Sequence, residues 1–334
     1  MAERWGPTRL IARDEVERSV DMADALRVVQ EVVRGHAQGR VAMPAKVTMD
    51  LSDFGLEAWN TAMPAFVQPL GAAGFKWVGG FLKNRERHGL PYLIALILVQ
   101  DPETGYPLAI TEGVHITNLR TGAMAALAVR HFGRSDARVL ALVGAGVQAR
   151  FAVDGITQVT GLERIQVYDL DPQAADTFAG WVGERHAIPV AVAGDAEGAV
   201  RGADLVITAT TSRSPIVRKE WMGPGVTAIS IGSQGQEFDD EAVLGADKIV
   251  VDSWEQCTHL GELRGFAEAG RLTRSDIFAE IGETVAGMRP GREGPEEYIL
   301  VVPIGLGSLD IALAKLVHDR VSAQAGAAGF RFFE

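Results

Sequence analysis

Hydrophobic and polar positions change their spacing along the chain, and these changes predict two kinds of architecture. Residues 14–36 carry apolar side chains at helical spacing, from Val16 to Val33, which predicts one amphipathic helix. From about 40 to 115, short extended runs are separated by Gly, Pro and Asp, and the segment DPETGYP at 101–107 is typical of a hairpin connection. This part of the chain therefore predicts an antiparallel sheet.

A different pattern follows the sheet region. Residues 117–132 are rich in Ala and Leu, which favours a helix capped by Thr117 or Asn118. Beyond this helix, six apolar runs of strand length alternate with helical stretches, as in a doubly wound parallel sheet: RVLALV, RIQVYD, PVAVA, DLVITAT, VTAISIG and KIVVDS. A last helical segment starts near residue 305 and has no βαβ partner, so we expect it to return to the first part of the chain.

Composition narrows the class of protein. The 334 residues suggest two domains, and 47% hydrophobic with 22% charged residues is ordinary for a globular protein. A formal net charge of −11 argues against a nucleic-acid or anionic-membrane partner. Cys257 is the only cysteine, so no disulfide can form within the chain and a cytoplasmic location is predicted. The seven histidines are scattered, and we expect no metal site.

Residues 138–171 combine an apolar strand, a glycine turn, a helix, a second strand and an acidic residue. Gly144, Gly146 and Ala149 form GxGxxA, in which the first glycine permits a tight turn, the second lets the backbone approach a pyrophosphate, and the alanine allows close helix packing. Asp169 ends the second strand, where a carboxylate accepts hydrogen bonds from ribose hydroxyls and repels a 2′-phosphate. The segment predicts a dinucleotide site that favours NAD over NADP. The alternative is a structural turn with no ligand.

Two cations outside this segment are candidates for chemistry. Lys76 lies between Phe75 and Trp77, and burial among apolar groups lowers the pKa of an ammonium toward the range used in catalysis. The alternative places it on the solvated face of a half-buried strand. Arg120 opens the helix before the nucleotide strand, where its guanidinium can bind a carboxylate through two hydrogen bonds. The alternative for Arg120 is a cation on the helix surface.

Longer stretches resemble the ornithine cyclodeaminase/μ-crystallin family over essentially the whole chain. The resemblance rests on a combination of segments: MPA at 63–65, GFKWVGGF, GLP, the DxxTGxPLA turn, the T-xx-RT helix start, GAGVQA, ADLVITATTS and IVVDSWEQ. It implies an α/β fold in which a doubly wound Rossmann domain that binds NAD, at 117–304, is inserted into a discontinuous α+β domain. That second domain, at 1–116 plus 305–334, would bind substrate and form a homodimer.

The resemblance also implies roles for individual residues. Lys76 and Arg120 would hold the carboxylate of the substrate and polarise its imine, with Lys46 and Met63 as further substrate contacts. The implied cofactor contacts lie on the helix start, the glycine loop and the ends of later strands: Thr121, Gly144, Ala145, Gly146, Val147, Gln148, Ala149, Asp169, Ala209, Thr210, Thr211, Ile231 and Gly232.

Two positions depart from the pattern of the cyclodeaminases. Lys46 stands in place of an arginine, so a point charge replaces a two-pronged carboxylate ligand. In the segment IGSQGQEFDDE, Gln234 occupies the catalytic position at which those enzymes have an aspartate. An amide cannot exchange a proton near neutral pH. Glu237 or Asp239 would then be the substitutes.

The departures favour one reaction over another. Cyclodeamination of L-ornithine to L-proline and ammonia requires acid and base catalysis at two amines, whereas a single hydride transfer requires mainly carboxylate capture, imine polarisation and a proton donor. We therefore predict an NAD-dependent imine reductase or L-amino-acid dehydrogenase that acts on a small α-imino or 2-oxo acid. The alternatives are an ornithine cyclodeaminase and a noncatalytic ligand-binding protein similar to μ-crystallin.

Overall fold

The computed structural model describes residues 6–232, 234–323 and 329–332. These residues form two compact units. Unit 1 contains the described residues up to Arg120 and those from Leu306 onward, and unit 2 is Thr121–Gly305. Within the described ranges, every helix is too short or too polar to cross a bilayer.

Unit 1 is built on a mixed sheet. Its strands are β1 (Thr8–Ile11), β2 (Val41–Ala42), β3 (Val47–Asp50), β4 (Ala58–Val67), β5 (Ala72–Phe81), β6 (Leu93–Gln100), β7 (Pro107–Glu112) and β16 (Gly329–Phe330). Its helices are α1 (Arg13–Ser19), α2 (Met22–Ala37), α3 (Asn84–His88) and α12 (Gly307–Ser322). The strand order is β16-β1-β7-β6-β5-β4-β2, with β3 also paired to β4. The pairs from β7 to β2 are antiparallel as predicted, but β1 is parallel to β7.

Two features of unit 1 differ from the sequence prediction. The single helix predicted for residues 14–36 is wrong, because Val20 is extended and separates α1 from α2. The Asp21 side chain accepts a hydrogen bond from the backbone N–H of Asp24 at 2.9 Å and so starts a new helix at that point. The sequence also missed β1, a four-residue strand that is too short to show a clear alternation.

Helix α4 (Val114–Phe132) starts in unit 1 and ends in unit 2. It begins three residues earlier than predicted, and neither Thr117 nor Asn118 caps it. The cap is the carboxylate of Glu112, which accepts hydrogen bonds from the backbone N–H of Val114 at 2.7 Å and of His115 at 3.0 Å. Thr117 therefore lies inside the helix.

Unit 2 is a doubly wound parallel sheet with helices between its strands, which confirms the predicted α/β class. Its strands are β8 (Val139–Val143), β9 (Arg164–Tyr168), β10 (Val190–Val192), β11 (Leu205–Thr208), β12 (Thr227–Ser230), β13 (Lys248–Val251), β14 (Ala279–Glu280) and β15 (Ile299–Val302). Its helices are α5 (Val147–Ile156), α6 (Pro172–His186), α7 (Ala196–Val200), α8 (Asp240–Leu244), α9 (Trp254–Cys257), α10 (Arg264–Glu268) and α11 (Ile281–Val285). The strand order is β10-β9-β8-β11-β12-β15-β13-β14. The six predicted strands are present, whereas β14 and β15 were missed.

Each of the two sheets has one region where a binding or active site could form. In unit 1, the long helix α12 packs on β4, β5 and β6, so side chains that leave this face of β5 meet α12. In unit 2, β8 pairs with β9 on one side and with β11 on the other. The chain continues from β8 to β9 on one side of the sheet and from β11 to β12 on the other, so the strand order reverses between β8 and β11. At such a point the loops after the two strands diverge, and doubly wound sheets bind ligands in the crevice between them.

Candidate active site

Lys76 lies on the covered face of β5 and is one of the largest fully buried side chains among the described residues. Its neighbours Phe75 and Trp77 point to the opposite face, where they are 38% and 41% exposed. The Nζ atom of Lys76 lies 2.7 Å from Oδ2 of Asp310, a completely buried residue on α12. The reading of Lys76 as a solvated strand residue is therefore wrong.

Arg120 and Thr117 reach the same aspartate from α4. Nε of Arg120 lies 3.3 Å from Oδ1 of Asp310, and Oγ1 of Thr117 lies 3.1 Å from that oxygen. Thr117 is also 3.4 Å from Nζ of Lys76. Their positions three residues apart place Thr117 and Arg120 on one face of the helix. The structure therefore joins Lys76 and Arg120, 44 positions apart in the sequence, through one carboxylate.

The electrostatics of this cluster set the pKa of Lys76. Burial lowers it, and the positive charges of Arg120 and Lys46 lower it further, while Asp310 opposes them, so the pKa falls from 10.5 to about 8. Burial alone would raise the pKa of Asp310, but Lys76 and Arg120 outweigh burial and lower it. Asp310 is therefore ionised at neutral pH, and Lys76 exchanges a proton near physiological pH.

The other predicted substrate contacts lie near this cluster. Met63 on β4 is directly opposite Lys76 in the strand register and is buried. Lys46 precedes β3, is half-buried and is close enough to Lys76 to affect its pKa. Lys76 and Arg120 thus share the buried carboxylate of Asp310, and Lys46 adds a third positive charge near Lys76. The excess of positive charge favours a carboxylate ligand.

Sequence reasoning did not identify Asp310. The sequence offers one indication of its importance, which is a lone aspartate in the apolar run LDIALAKL. Burying an unpaired carboxylate is very costly, so an aspartate on a buried helix face must have partners. The identity of its partners depends on packing between residues 234 positions apart.

The glycine loop of unit 2 has the backbone geometry that a dinucleotide requires. Gly144 has φ of +102°, and a Cβ there would lie 2.6 Å from the carbonyl oxygen of Ala209. A Cβ on Gly146 would meet nothing within 4 Å, so the backbone that starts α5 is open to a ligand. Ala149 is fully buried. The N-terminus of this ten-residue helix can therefore receive a pyrophosphate.

Asp169 follows β9 and lies beside this loop. Its Oδ2 atom accepts a hydrogen bond from the backbone N–H of Ala145 at 2.7 Å, and its Oδ1 atom accepts one from Asp171 at 2.9 Å. The carboxylate is half-buried and keeps acceptor capacity for ribose hydroxyls. An aspartate at this position after the second strand is typical of sites that bind NAD.

The remaining predicted cofactor contacts lie in the segments after two strands and on two helices. Thr210 and Thr211 follow Ala209 in the loop after β11, and Ile231 and Gly232 follow β12. Thr121 is buried on α4. Val147 and Gln148 form the first turn of α5, with Val147 47% exposed. The glycine loop and the ends of β11 and β12 are therefore the candidate cofactor-binding segments of unit 2.

The loop that contains Gln234 follows Gly232. Gln234 lines a cavity of about 250 Å³ whose wall includes Glu262. The two nearby carboxylates are engaged elsewhere. Glu237 is buried, with hydrogen bonds to Thr208, Thr210 and Ser230. Asp239 caps α8 by accepting a hydrogen bond from Ala242.

The described residues contain no group of three His, Cys, Asp or Glu side chains arranged to hold a metal ion. The chemistry available from the chain is thus that of a cationic, proton-exchanging cluster in unit 1 and of a dinucleotide-binding backbone in unit 2.

Comparisons with known proteins match nearly the whole chain. The family model described as "Ornithine cyclodeaminase/mu-crystallin family" matches residues 8–325. The chain is 35% identical over 329 residues to an alanine dehydrogenase of Archaeoglobus fulgidus, covering 98% of this chain and 99% of the relative.

Two solved structures are similar over almost their full length. One is an archaeal alanine dehydrogenase dimer with bound NAD, at a TM-score of 0.92 and 34% identity, covering 98% of this chain and all of that one. The other is the Δ1-pyrroline-2-carboxylate reductase of Thermococcus litoralis in complex with NADH and L-proline, at a TM-score of 0.92 and 30% identity, covering 96% of this chain and all of that one. The family-model match, which extends across both units, establishes that this chain belongs to the ornithine cyclodeaminase/μ-crystallin family.

Proposed function

We propose that this protein is an NAD(H)-dependent imine reductase or L-amino-acid dehydrogenase that acts on a small α-imino or 2-oxo acid. The observation that carries the proposal is the buried Lys76–Asp310–Arg120 cluster, which supplies carboxylate-binding charge and an exchangeable proton. The similarity to an alanine dehydrogenase with NAD and to an imine reductase with NADH supports the same chemistry.

The cationic residues of unit 1 bind and orient the substrate. Arg120 makes one hydrogen bond to Asp310 through Nε, which leaves its terminal NH groups for the substrate carboxylate. Lys46 adds a second positive charge. The nicotinamide cofactor, when bound, supplies or accepts the hydride. The chain itself holds the carboxylate and controls the proton on the substrate nitrogen.

Lys76 is the proposed proton donor. With a pKa of about 8, it is mostly protonated at neutral pH and hydrogen-bonds to the imine nitrogen, which makes the α-carbon more electrophilic. At higher pH the neutral amine accepts a proton, as amino-acid oxidation requires. Asp310 positions the ammonium and keeps its pKa from falling further.

The loop after β12 argues against cyclodeamination. Gln234 supplies no carboxylate, and the hydrogen bonds of Glu237 and Asp239 hold both carboxylates in structural roles. Gln234, Glu237 and Asp239 therefore do not supply a second amine with the base that ring closure requires. The proposed NAD preference rests on Asp169 and on the absence of an arginine at the two positions after it.

A homodimer is part of the proposal. The outer face of the unit 1 sheet presents large apolar side chains on adjacent strands, including Phe75, Trp77, Ile94 and Leu96, each more than a third exposed. Trp77 on β5 is directly opposite Leu96 on β6. A continuous apolar sheet face of this kind marks a protein interface, and a second copy of the chain is the occupant we propose. The dimeric state of the archaeal relative supports it.

We also propose a cytoplasmic location, since Cys257 is the only cysteine and is buried.

The proposed function is tested by following NADH absorbance with purified protein. The screen combines ammonia with pyruvate, oxaloacetate or glyoxylate, and includes preformed five- and six-membered cyclic imines. We expect at least one substrate to consume NADH with formation of the matching amino acid. Binding of ligand and cofactor with no consumption in any arm would instead support a noncatalytic protein.

A further inference from the structure

Two buried carboxyl groups lie beneath the cofactor-binding segments of unit 2 and have no role in the mechanism above. Glu237 and Glu262 are each 1% exposed. Ser230, at the end of β12, links them: its Oγ atom lies 3.3 Å from Oε2 of Glu237 and 3.0 Å from Oε2 of Glu262. We call Glu237 and Glu262 the carboxyl pair.

Glu237 connects the ends of the two strands that border the cofactor. Its Oε1 atom accepts hydrogen bonds from the backbone N–H and the hydroxyl of Thr210, at 3.0 and 2.5 Å. Its Oε2 atom accepts one from Thr208 at 2.8 Å. A Cβ on Gly232 would lie only 2.3 Å from the same oxygen, so the carboxylate packs directly against that backbone. Glu237 therefore fixes the loops after β11 and β12 relative to each other.

The single hydroxyl proton of Ser230 cannot serve both carboxyl groups at once. Glu262 accepts from the backbone N–H of Glu237 and of Phe238, at 2.9 and 3.0 Å. Ser230 has one hydroxyl proton for two neighbouring carboxyl oxygens. If Glu262 is protonated, it donates to Ser230 and Ser230 donates to Glu237, so each of these two protons has an acceptor. Burial raises the pKa of Glu237 as well, but Glu237 accepts from more donors than Glu262 does, so we assign it as the ionised member.

The electrostatics agree with this assignment. Burial and the charge of Glu237 raise the pKa of Glu262, the hydrogen bonds that Glu262 accepts oppose them, and the pKa reaches about 7. Glu237 is the titratable group whose charge acts on Glu262. Burial and the charge of Glu262 raise the pKa of Tyr298, so its phenol stays neutral. Arg264 lines the same cavity but is paired with Glu268 at 2.7 Å.

We propose that the carboxyl pair is a positioning device for the cofactor: the two groups share one proton through Ser230 and so hold the Ala209–Thr211 and Ile231–Gly232 segments in the conformation that binds NAD(H). Loss of the shared proton places two like charges in one buried site and leaves Ser230 unable to satisfy both. The inference rests on the proposed function in one respect, that the cofactor is NAD(H). It concerns the affinity for this cofactor and not the turnover of a substrate.

NADH titration of the protein without substrate tests the inference, using the change in nicotinamide fluorescence from about pH 6 to pH 9. We expect the wild-type Kd to rise by about fivefold or more as pH passes through about 7. Glu262→Gln copies the protonated acid, so its Kd stays nearly constant over the same range. Glu268→Gln, which changes an exposed carboxylate beside the same cavity, follows the wild-type curve.

Glu237→Gln provides the second arm. We expect its Kd for NADH to rise about tenfold at every pH. The inference is overturned by a Glu262→Gln curve that matches the wild-type pH dependence, or by a folded Glu237→Gln variant with wild-type affinity. Thermal unfolding without NADH reports whether each variant is folded. If Glu237→Gln does not fold, the pH dependence of Glu262→Gln alone decides whether the inference holds. Since no substrate is present, these outcomes are independent of whether an imine is reduced.

Discussion

The ammonium of Lys76 and the carboxylate of Asp310 lie 2.7 Å apart, and both side chains are buried. An ion pair in such a place is a weak source of stability, because desolvation offsets much of the Coulomb attraction. Its consequence here is chemical. The pair keeps an exchangeable ammonium in an apolar setting with a pKa of about 8, next to the guanidinium of Arg120.

Removing the ammonium tests its assignment. We expect Lys76→Ala to lower kcat/KM for imine reduction by at least about 10²-fold, the usual contribution of a positioned proton donor. The Kd for NADH, measured by fluorescence titration, should change little, because the candidate cofactor segments belong to unit 2. A variant with wild-type kcat would exclude Lys76 from the chemistry.

The pKa of Lys76 predicts a pH profile. The donor is the protonated form, so kcat/KM for imine reduction should fall as pH rises above about 8. Asp310 raises the pKa of Lys76, and Asp310→Asn should therefore move this fall to lower pH. The same substitution leaves a buried cation without its partner and should lower the free energy of unfolding by about 3–5 kcal/mol. An unchanged profile in a folded Asp310→Asn variant would contradict the proposed role of this carboxylate.

Cofactor choice should depend on Asp169. We expect kcat/KM with NADH to exceed that with NADPH, and Asp169→Ser to reduce this ratio by about tenfold or more, through loss of ribose hydrogen bonds and of charge repulsion. Asp171→Asn is the matched control, since it changes a neighbouring carboxylate that caps α6. Equal efficiency of the wild-type protein with both nucleotides would refute the preference.

The apolar sheet face predicts a dimer that one charge can disrupt. Leu96→Glu places a carboxylate on this face, and we expect sedimentation velocity to show a shift from dimer to monomer. Leu170→Glu adds the same charge at a position that is 89% exposed in unit 2 and should remain dimeric. A monomeric wild-type protein, or a dimeric Leu96→Glu variant, would show that this face has another role.

Some parts of the site were predictable from the sequence and others were not, depending on whether the interaction is local in the chain. The apolar neighbours of Lys76 suggested a perturbed ammonium, because a strand places adjacent side chains on opposite faces. The partner of Lys76 was not predictable, since Asp310 lies 234 residues away and reaches it only through the packing of α12 on β5. The glycine loop was predictable because its chemistry is local: the turn, the helix start and the acidic strand end follow each other within one βαβ unit.

The same distinction applies to the fold. Long periodic elements such as β5 and α12 have clear patterns, whereas β1 and β14 consist of four and two residues and depend on their neighbours in the sheet. The break between α1 and α2 had a local signal in Asp21, a favourable N-cap residue. Glu262 had no such signal, because its role depends on Ser230 and Glu237, which come from other elements.

The most direct test of the proposed function is the stoichiometry of NADH. Purified protein receives deuterated NADH with the cyclic imine or 2-oxo acid that it accepts best, and in parallel receives L-ornithine with NAD. We expect one NADH to be consumed per amino acid formed, with deuterium at the α-carbon of the product, and no useful rate of proline and ammonia release from ornithine. Robust formation of proline from ornithine without net change in NADH would exclude the proposed reductase or dehydrogenase and identify a cyclodeaminase.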